Sequence, residues 1–521
     1  MKKSLFLMLA LGQIALCKAD ETDALWLEAE EAQLSKCELI TDDQYSGQQA
    51  VRCTDSGASI RFDIELADAG KYIICVAGNG IGGAKIVNCT VNGGTGSFSL
   101  DDYAEVEVGA FMMKAGKNTI TITPAWTWYD VDYLRVIPNS QSLPFDIAPQ
   151  PVDPEATDAA QMLYGFLLDN FGQRTISGIM TGDMGSAHGD VTQHDDVKAV
   201  YKKSGQYPAL VGFDFMNATG LYGTTSWYMD YTRASVELAK DTWRRGGIPA
   251  FTWHWRDPSR STDAFYSDST PFKASQAMLA DGTWDVESPI YAQMVADIDV
   301  VADYMLELQQ EGMACIFRPL HEASGGWFWW GREGAEVCKA IYRLIFDEMT
   351  QVKGVHNVLW VWNPDPKDVD WNPGDERYDI VSADIYNNSF DYSSNYVMFD
   401  KLKALTGGRK IIALSENGPI PDIELQAQEE AMWSWWMPWY QTWNGGFVDK
   451  TRAAEWQKCM NDPRVITLAD MRDAGWCTVE AIAPVFTPSA HDAPLYDLQG
   501  HRLHAAPRSG AYIQGNKVII K

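Results

Sequence analysis

The sequence predicts an α/β fold in which a (β/α)8 TIM barrel is preceded by an all-β sandwich of the jelly-roll type. Residues 21–138 are rich in Val, Ile, Thr and Gly and are divided by frequent turn signals. From residue 158 onward, helical segments alternate with short apolar strands. A chain of 521 residues is also too long for one hydrophobic core, so about two or three domains are expected.

The first of these regions has the pattern of an antiparallel sandwich. Apolar strand-like runs such as Tyr72–Val76 are separated by turn signals at Gly70, Asn92–Gly94 and Gly116. Turns that recur roughly every eight to twelve residues are typical of such folds. Five prolines between residues 138 and 154 then predict a semi-rigid linker over residues 139–157.

Residues 158–475 carry eight candidate strands, which is the number that a closed parallel barrel requires. The eighth strand is the least regular, since its tryptophan-rich run would also suit the start of a helix. The candidates are Thr175–Met180, Ala209–Phe215, Ile248–Trp255, Cys315–His321, Val358–Asn363, Ile380–Tyr386, Lys410–Glu416 and Trp433–Trp439.

Both ends of the chain differ from these domains. Residues 1–19 combine Lys2 and Lys3 with an apolar run too short to span a bilayer, which predicts a signal peptide and a secreted or cell-surface protein, with the periplasm as an alternative. Lipidation at Cys17 is the rival interpretation, but Leu16 is a poor residue to precede a lipidated cysteine. Residues 477–521 form a separate strand-and-turn module.

The charge and the tryptophan content indicate which class of partner to expect. The net charge of −28 disfavours nucleic acid and anionic lipid as partners, and no segment is long and apolar enough for membrane insertion. The 21 Trp favour a neutral ligand with flat faces, such as a sugar.

Removal of residues 1–19 would leave eight of the nine cysteines, an even number that is compatible with disulfides whose pairing stays open. Cys315 lies in an apolar run and is expected to be a buried free thiol.

Two predicted barrel strands end in glutamate, the fourth at Glu322 and the seventh at Glu416. Active residues of such barrels lie at the carboxyl ends of strands, so both side chains are expected at one mouth. Paired carboxylates suit glycoside cleavage, whereas a single glutamate there could equally be a salt-bridged structural residue. The adjacent His321 does not begin a zinc HExxH motif, because Gly325 stands where the second histidine would be.

The segment Arg318–Gly331 (RPLHEASGGWFWWG) resembles the acid/base motif of glycoside hydrolase family 26. Leu414–Gly418 resembles the nucleophile strand of that family, Phe251–His254 its third strand and Ala383–Tyr386 its sixth. The resemblance covers roughly residues 158–475. It implies retaining chemistry, with Glu322 as acid/base and Glu416 as nucleophile, and hence carboxyl groups about 5–5.5 Å apart.

The resemblance also implies supporting residues around this pair. Tyr386 would donate a hydrogen bond to Glu416, and Arg318 would pair with a buried carboxylate. The residues expected to contact or stack on the sugar are His254, His321, Trp327 and Trp436.

The first domain resembles carbohydrate-binding modules of family 35 and the related family 6 through Leu27–Glu30, Ala115–Ile120 and Val131–Leu134. In such modules the positions of Glu28, Glu30 and Asp132 often hold a structural calcium ion, for which carboxylate oxygens are suitable ligands. The resemblance makes Trp126, Trp128 and Tyr129 the candidate glycan-facing aromatics. The alternative is that these rings cover the end of the sandwich or pack on the barrel.

The function implied by the resemblance is that of an endo-β-1,4-mannanase that needs no cofactor for catalysis. A monomer is expected, because it suits an enzyme that works on polymers. Its substrates would be mannan, glucomannan or galactomannan. An exo-acting mannobiohydrolase, and a β-glucanase or β-1,3-xylanase of the same family, are alternatives. A non-catalytic secreted glycan-binding protein is the alternative from another class. Residues 495–513 resemble the terminal segments of secreted Bacteroidetes-type bacterial proteins, which implies sorting or surface attachment.

Overall fold

The computed structural model describes residues 24–139, 143–186, 189–364, 369–442, 445–473 and 475–476, and the backbone of four strands near the carboxyl end. The predicted signal peptide lies outside these residues. In the described part of the chain, no helix has both the length and the apolar character needed to cross a membrane.

The amino-terminal domain is an antiparallel sandwich of two sheets, as predicted. One sheet has the order β3-β4-β11-β6-β9 with β1 paired to β11, and the other has the order β2-β5-β10-β7-β8. Alternate residues of β5, such as Ile60, Phe62 and Ile64, are buried between the sheets. The strands are β1 (Leu25–Glu28), β2 (Gln33–Ser35), β3 (Glu38–Thr41), β4 (Gln49–Cys53), β5 (Ser59–Leu66), β6 (Gly70–Gly80), β7 (Lys85–Val91), β8 (Gly94–Leu100), β9 (Ala104–Met113), β10 (Gly116–Pro124) and β11 (Tyr129–Pro138).

The second domain is the predicted barrel of eight parallel strands. Strands β12 to β19 pair in sequence order, and β19 closes the barrel by pairing with β12 through Ile176↔Trp435. A short strand, β20 (Val465–Ile466), adds to β12 on the outside. The barrel strands are β12 (Thr175–Met180), β13 (Leu210–Asp214), β14 (Ile248–Trp253), β15 (Cys315–Pro319), β16 (Val358–Trp362), β17 (Ile380–Ile385), β18 (Ile411–Asn417) and β19 (Trp435–Pro438).

Eight α-helices accompany the barrel in the described residues. Helix α1 precedes the first barrel strand, and every barrel strand except β16 is followed by an α-helix; only 3-10 turns are described between β16 and β17. The helices are α1 (Asp158–Asn170), α2 (Asp195–Ser204), α3 (Ser226–Arg244), α4 (Pro289–Gln310), α5 (Ala335–Asp347), α6 (Tyr396–Leu405), α7 (Ile423–Gln428) and α8 (Ala453–Met460).

The two domains meet at α6, the helix that follows the sixth barrel strand. The Tyr396 hydroxyl accepts a hydrogen bond from the backbone N–H of Met112 (2.9 Å), and Lys401 Nζ donates to the carbonyl of Ser97 (2.8 Å). Lys71 forms an ion pair of 2.9 Å with the largely buried Asp400. The sandwich is therefore docked on the barrel and does not hang from a free linker.

The described part of the proline-rich segment is also held against the barrel. The backbone N–H of Val152 donates to Asp379 Oδ1 (2.7 Å), and the Tyr164 hydroxyl donates to the carbonyl of Ala148 (2.8 Å). The segment thus follows the barrel surface, because its backbone groups find partners there. The carboxyl-terminal strands β21 (Leu495–Tyr496), β22 (Arg502–Leu503), β23 (Ala511–Gln514) and β24 (Lys517–Ile520) form an antiparallel sheet in the order β22-β21-β23-β24.

Candidate functional site

Glu322 and Glu416 lie together at the carboxyl-terminal mouth of the barrel. Glu322 follows the fourth barrel strand, β15, and Glu416 lies near the end of the seventh, β18. One carboxylate oxygen of Glu322, one of Glu416 and one of Asp384 are all within 4.8 Å of one another. This separation suits direct attack by one carboxylate, since an inverting pair about 6.5–9.5 Å apart leaves room for a water molecule.

The backbone around Glu322 is bent to present its side chain. Leu320 and Glu322 both have left-handed backbone conformations, with φ of 53° and 52°. Such conformations are costly for residues with a side chain and persist where the surrounding structure enforces them. The Trp330 indole N–H donates to the carbonyl of His321 (2.9 Å), and Asn363 Oδ1 accepts from the N–H of Glu322 (3.3 Å), so both sides of the bend are held.

Glu416 is buried and held by two hydrogen-bond donors. The Arg318 guanidinium donates to Oε1 of Glu416 and forms a second ion pair with Asp384 at 2.7 Å. The Tyr386 hydroxyl donates to Oε2 of Glu416. Both contacts agree with the contacts predicted for Arg318 and Tyr386. Because Arg318 bridges two of the three clustered carboxylates, the cluster is an ion-pair network and is poorly suited to hold a metal ion.

A β-bulge explains how Glu416 faces Arg318. Ala383 pairs with Leu414, whereas the next residue, Asp384, pairs with Glu416, so β18 contains one extra residue, Ser415. An extra residue re-aims the side chain that follows it. Asp384 and Glu416 therefore face the same guanidinium, from adjacent strands.

Burial favours the acid form of Glu322 near neutral pH. Burial, and then the nearby charge of Glu416, raise the pKa of Glu322 from 4.5 to about 7. The Trp327 indole N–H donates to Oε2 of Glu322 (3.0 Å) and acts in the opposite direction, because it stabilises the carboxylate. The pair thus combines a carboxyl group that holds a proton with a carboxylate that is paired to Arg318.

His254 and His321 lie next to each other in the site. His254 Nδ1 lies 2.6 Å from Asp214 Oδ2, and the Nε2 atoms of the two rings are 3.2 Å apart. Burial lowers the pKa of His254, but Asp214 outweighs this and leaves the pKa raised, whereas burial, Arg318 and His254 hold the pKa of His321 well below its usual range. Both rings are nearly buried, and their contact with sugar hydroxyls stays a prediction.

The tryptophans divide between exposed and buried positions. Trp327 is 44% exposed beside Glu322, as expected for a sugar platform, while Trp329 and Trp330 are buried. Trp436 is fully buried and packs on Trp456 of α8 at 5.6 Å, so the prediction that it is a sugar platform is wrong. Its side chain points outward from the barrel, toward α8.

Several residues at the site were missed by the sequence analysis. Asp214 ends the second barrel strand, and Asn363 directly follows the fifth. A polar residue at the end of an apolar run was therefore the sequence signal that could have identified both. Tyr266 is stacked on Phe328 (5.4 Å), and burial and neighbouring charges, including those of both glutamates, raise its pKa. Trp439 lies 6.0 Å from the His254 ring. Tyr266 lies in the long loop after β14, where no sequence pattern marks it, whereas Trp439 is the last residue of the eighth candidate strand and lies just past β19.

In the amino-terminal domain, Trp126 and Trp128 are 58% and 54% exposed, as expected for glycan-facing rings. Tyr129 is fully buried at the start of β11, where it pairs with Cys53 of β4, so the prediction that it faces a ligand is wrong. Glu28, Glu30 and Asp132 lie near one another, and Asp132 accepts from the N–H of Ser46 (3.0 Å). Oε2 of Glu28 and Oε2 of Glu30 are buried without a hydrogen-bond partner in the described part of the chain.

Comparison with known proteins places both domains in families. Residues 152–469 match glycosyl hydrolase family 26. The chain belongs to that family. Residues 25–139 of this family 26 hydrolase match the family 35 carbohydrate binding module. The prediction that the chain is a glycoside hydrolase with an attached binding module is thereby confirmed.

Relatives of the family 26 hydrolase extend across both domains. A mannan endo-1,4-β-mannosidase of Thermothelomyces thermophilus is 32% identical over 85% of this chain and 88% of its own. The crystal structure of a GH26-CBM35 β-(1,4)-mannanase of Podospora anserina covers 87% of this chain and 99% of its own, with 29% identity and a TM-score of 0.57. A β-mannanase from a symbiotic protist of the termite Reticulitermes speratus, in complex with a gluco-manno-oligosaccharide, covers 64% and 99%, with 36% identity and a TM-score of 0.56.

Proposed function

We propose that this family 26 hydrolase is a retaining endo-β-1,4-mannanase that cuts mannan, glucomannan or galactomannan backbones. The observation that carries the proposal is the close pairing of Glu322 and Glu416, one holding a proton and the other held by Arg318 and Tyr386. The substrate class is supported by relatives that are named as mannanases and that align over most of both chains.

In the proposed mechanism, Glu322 protonates the glycosidic oxygen while Glu416 attacks the anomeric carbon and forms a glycosyl-enzyme. The negative charge of Glu416 is lost when the ester forms, so the pKa of Glu322 falls at the moment when Glu322 must act as a base. Glu322 then takes a proton from water, and the water displaces Glu416 with a second inversion. The first product therefore keeps the β-configuration.

The test is product release from locust bean galactomannan, with lichenan and β-1,3-xylan as parallel substrates. We expect short manno-oligosaccharides of several lengths, an early fall in viscosity, and β-anomers appearing first in the proton NMR spectrum. Mannobiose as the sole product would favour exo-action, and cleavage of lichenan or xylan alone would move the substrate while keeping the mechanism. If no glycan is cut, the chain is a binding protein and the proposal fails.

The pH dependence should report the protonation of Glu322. Because the acid form is the active form and its pKa is raised to about 7, kcat/KM is expected to fall about tenfold per pH unit above that value. Removal of the indole donor in Trp327→Phe should raise the pKa further and move this alkaline limb to higher pH. Measurement of kcat/KM from pH 5 to 9 checks both, and a rate that stays flat to pH 9 would contradict the assignment.

We propose a structural calcium site at Glu28, Glu30 and Asp132. The two buried carboxylate oxygens without partners fit a hard cation, and burial, together with the neighbouring carboxylates, raises the pKa of Glu30. Removal of calcium with EDTA is expected to lower the Tm of the module by about 5 °C, and added calcium should restore it. Calorimetry of the full chain checks this, with Asp132→Asn expected to abolish the response. The exposed Glu65→Gln should retain it.

We further propose that the module binds glycan and that the protein is secreted or held at the cell surface. Trp126 and Trp128 are proposed as the sugar platforms of the module, because both side chains are widely exposed.

Export through residues 1–19 is supported by the charge and the apolar run of that segment. Surface sorting through residues 477–521 is supported by their resemblance to bacterial terminal segments. A monomer suits an enzyme that works on polymers. Cell fractionation of the full chain and of a chain ending at residue 476 tests the sorting role.

A further inference from the structure

Two cysteines of the amino-terminal module face each other across a β-hairpin. Strands β3 and β4 pair from Thr41↔Gln49 to Glu38↔Arg52, and the next opposed positions in that register are Cys37 and Cys53. Their Sγ atoms are 3.4 Å apart. The other five cysteines in the described ranges are buried, whereas Cys37 is partly exposed.

The register of this hairpin places the two cysteines where a disulfide bond can form. Directly opposed residues in an antiparallel pair have Cα atoms about 4.5–5.5 Å apart, which lies within the range of about 4.4–6.8 Å seen in disulfides. The sulfur atoms need to approach by only about 1.3 Å to reach bonding distance, which small side-chain rotations can supply. No strand has to shift.

Cys37 also has the lowered pKa that thiol oxidation requires of the attacking sulfur. A hydrogen bond from Cys53 is the main cause that lowers the pKa of Cys37 to about 7, which favours the thiolate form of Cys37. Burial raises the pKa of Cys75 and Cys89 to about 12 and leaves them unreactive. Cys37 is thus both accessible and nucleophilic.

We propose that Cys37 and Cys53 form a disulfide bond, and that this bond fixes the loop that carries Trp126 and Trp128. The backbone connects the two features directly. The N–H of Trp128 donates to the carbonyl of Cys53 (2.8 Å), and Tyr129, the next residue, pairs with Cys53 in the sheet. A constraint on Cys53 therefore acts on the base of the aromatic loop.

The oxidant is a disulfide, either that of an exported thiol oxidoreductase or that of oxidised glutathione. The Cys37 thiolate attacks one sulfur of this disulfide, forms a mixed disulfide and releases the first thiolate. Cys53 then loses its proton, attacks Cys37 Sγ and releases the second thiolate. Two protein thiols are oxidised to one disulfide, and the oxidant is reduced to two thiols.

Trypsin digestion gives a direct test, because its cleavage sites separate the two cysteines. Cleavage after Lys36, Arg52 and Arg61 yields the peptides 37–52 and 53–61, each with one cysteine. The full chain, treated with oxidised glutathione and then alkylated under denaturing conditions, is expected to give these two peptides linked to each other. Full alkylation of both cysteines, or glutathione attached to Cys37 alone, would overturn the proposal.

Reduction supplies a second readout that concerns the loop. Because the bond closes a hairpin of 17 residues, dithiothreitol is expected to lower the Tm of the oxidised module by about 10 °C. Hydrogen exchange of residues 126–129 should become at least about tenfold faster. Cys37→Ser is the matched control, in which reductant should change neither value. An oxidised wild-type chain that is equally insensitive would contradict the role of the bond.

Discussion

Glu416→Ala is expected to lower kcat on galactomannan by more than about 10⁴-fold while the chain stays folded. Without this carboxylate, no glycosyl-enzyme can form, and the remaining groups supply only binding and acid catalysis. The loss should be equally severe with an aryl mannobioside that has a good leaving group, because the missing group is the nucleophile. Reducing-sugar release and aryl release measure the two rates.

Chemical rescue distinguishes a missing nucleophile from a damaged site. Azide should enter the space vacated by the Glu416 side chain and attack the anomeric carbon of the aryl substrate, giving the inverted α-glycosyl azide. The variant leaves Arg318 paired with Asp384 alone, so its fold should be checked by circular dichroism, with Glu416→Gln as a near-isosteric second variant. Glu287→Ala, an exposed glutamate, is the control that should keep full activity. Wild-type rates in Glu416→Ala would refute the assignment.

The barrel and its glutamate pair could be predicted because both follow from local patterns. Each strand is a short apolar run, and the fourth and seventh runs end in Glu322 and Glu416, at the face where parallel strands finish. The predicted strand bounds agree with the structure to within about two residues. Chain order alone placed the two glutamates at the same mouth.

Side-chain direction was harder to predict, because it depends on the phase of a two-residue alternation. Trp436 and Tyr129 are buried and point away from any ligand, whereas Trp128, the residue before Tyr129, is exposed. A two-residue alternation that is assigned one residue out of phase reverses the face expected for every side chain of the strand. The Ser415 bulge is a further case, since nothing in the sequence marks an extra residue there.

The remaining contacts of the site join residues that lie on different strands. Arg318 bridges Asp384 and Glu416, and His254 is held by Asp214, a residue in the neighbouring strand. Such pairs are set by the register of parallel strands, which a single sequence does not reveal. A sequence can therefore predict which residues reach the mouth, while the structure gives the charges that each of them meets.

Glu322→Ala should show a different pattern, because its effect depends on the leaving group. On galactomannan the leaving sugar needs a proton, and kcat/KM is expected to fall by about 10²–10⁴-fold. A dinitrophenyl β-mannobioside leaves without protonation, so its first step should remain fast. The glycosyl-enzyme then accumulates, because no base activates water. We expect a burst of one dinitrophenol per enzyme, followed by slow turnover with a lowered KM.

Azide should restore that slow turnover and yield the β-glycosyl azide, since it attacks the glycosyl-enzyme from the face that water uses. The opposite anomers formed by the two variants assign the two carboxylates independently of any rate. Removal of Glu322 should also abolish the alkaline limb near pH 7, because that limb reports its proton. Equal losses on both substrates, without a burst, would mean that Glu322 is not the acid/base and that another group near Asp384 must supply the proton.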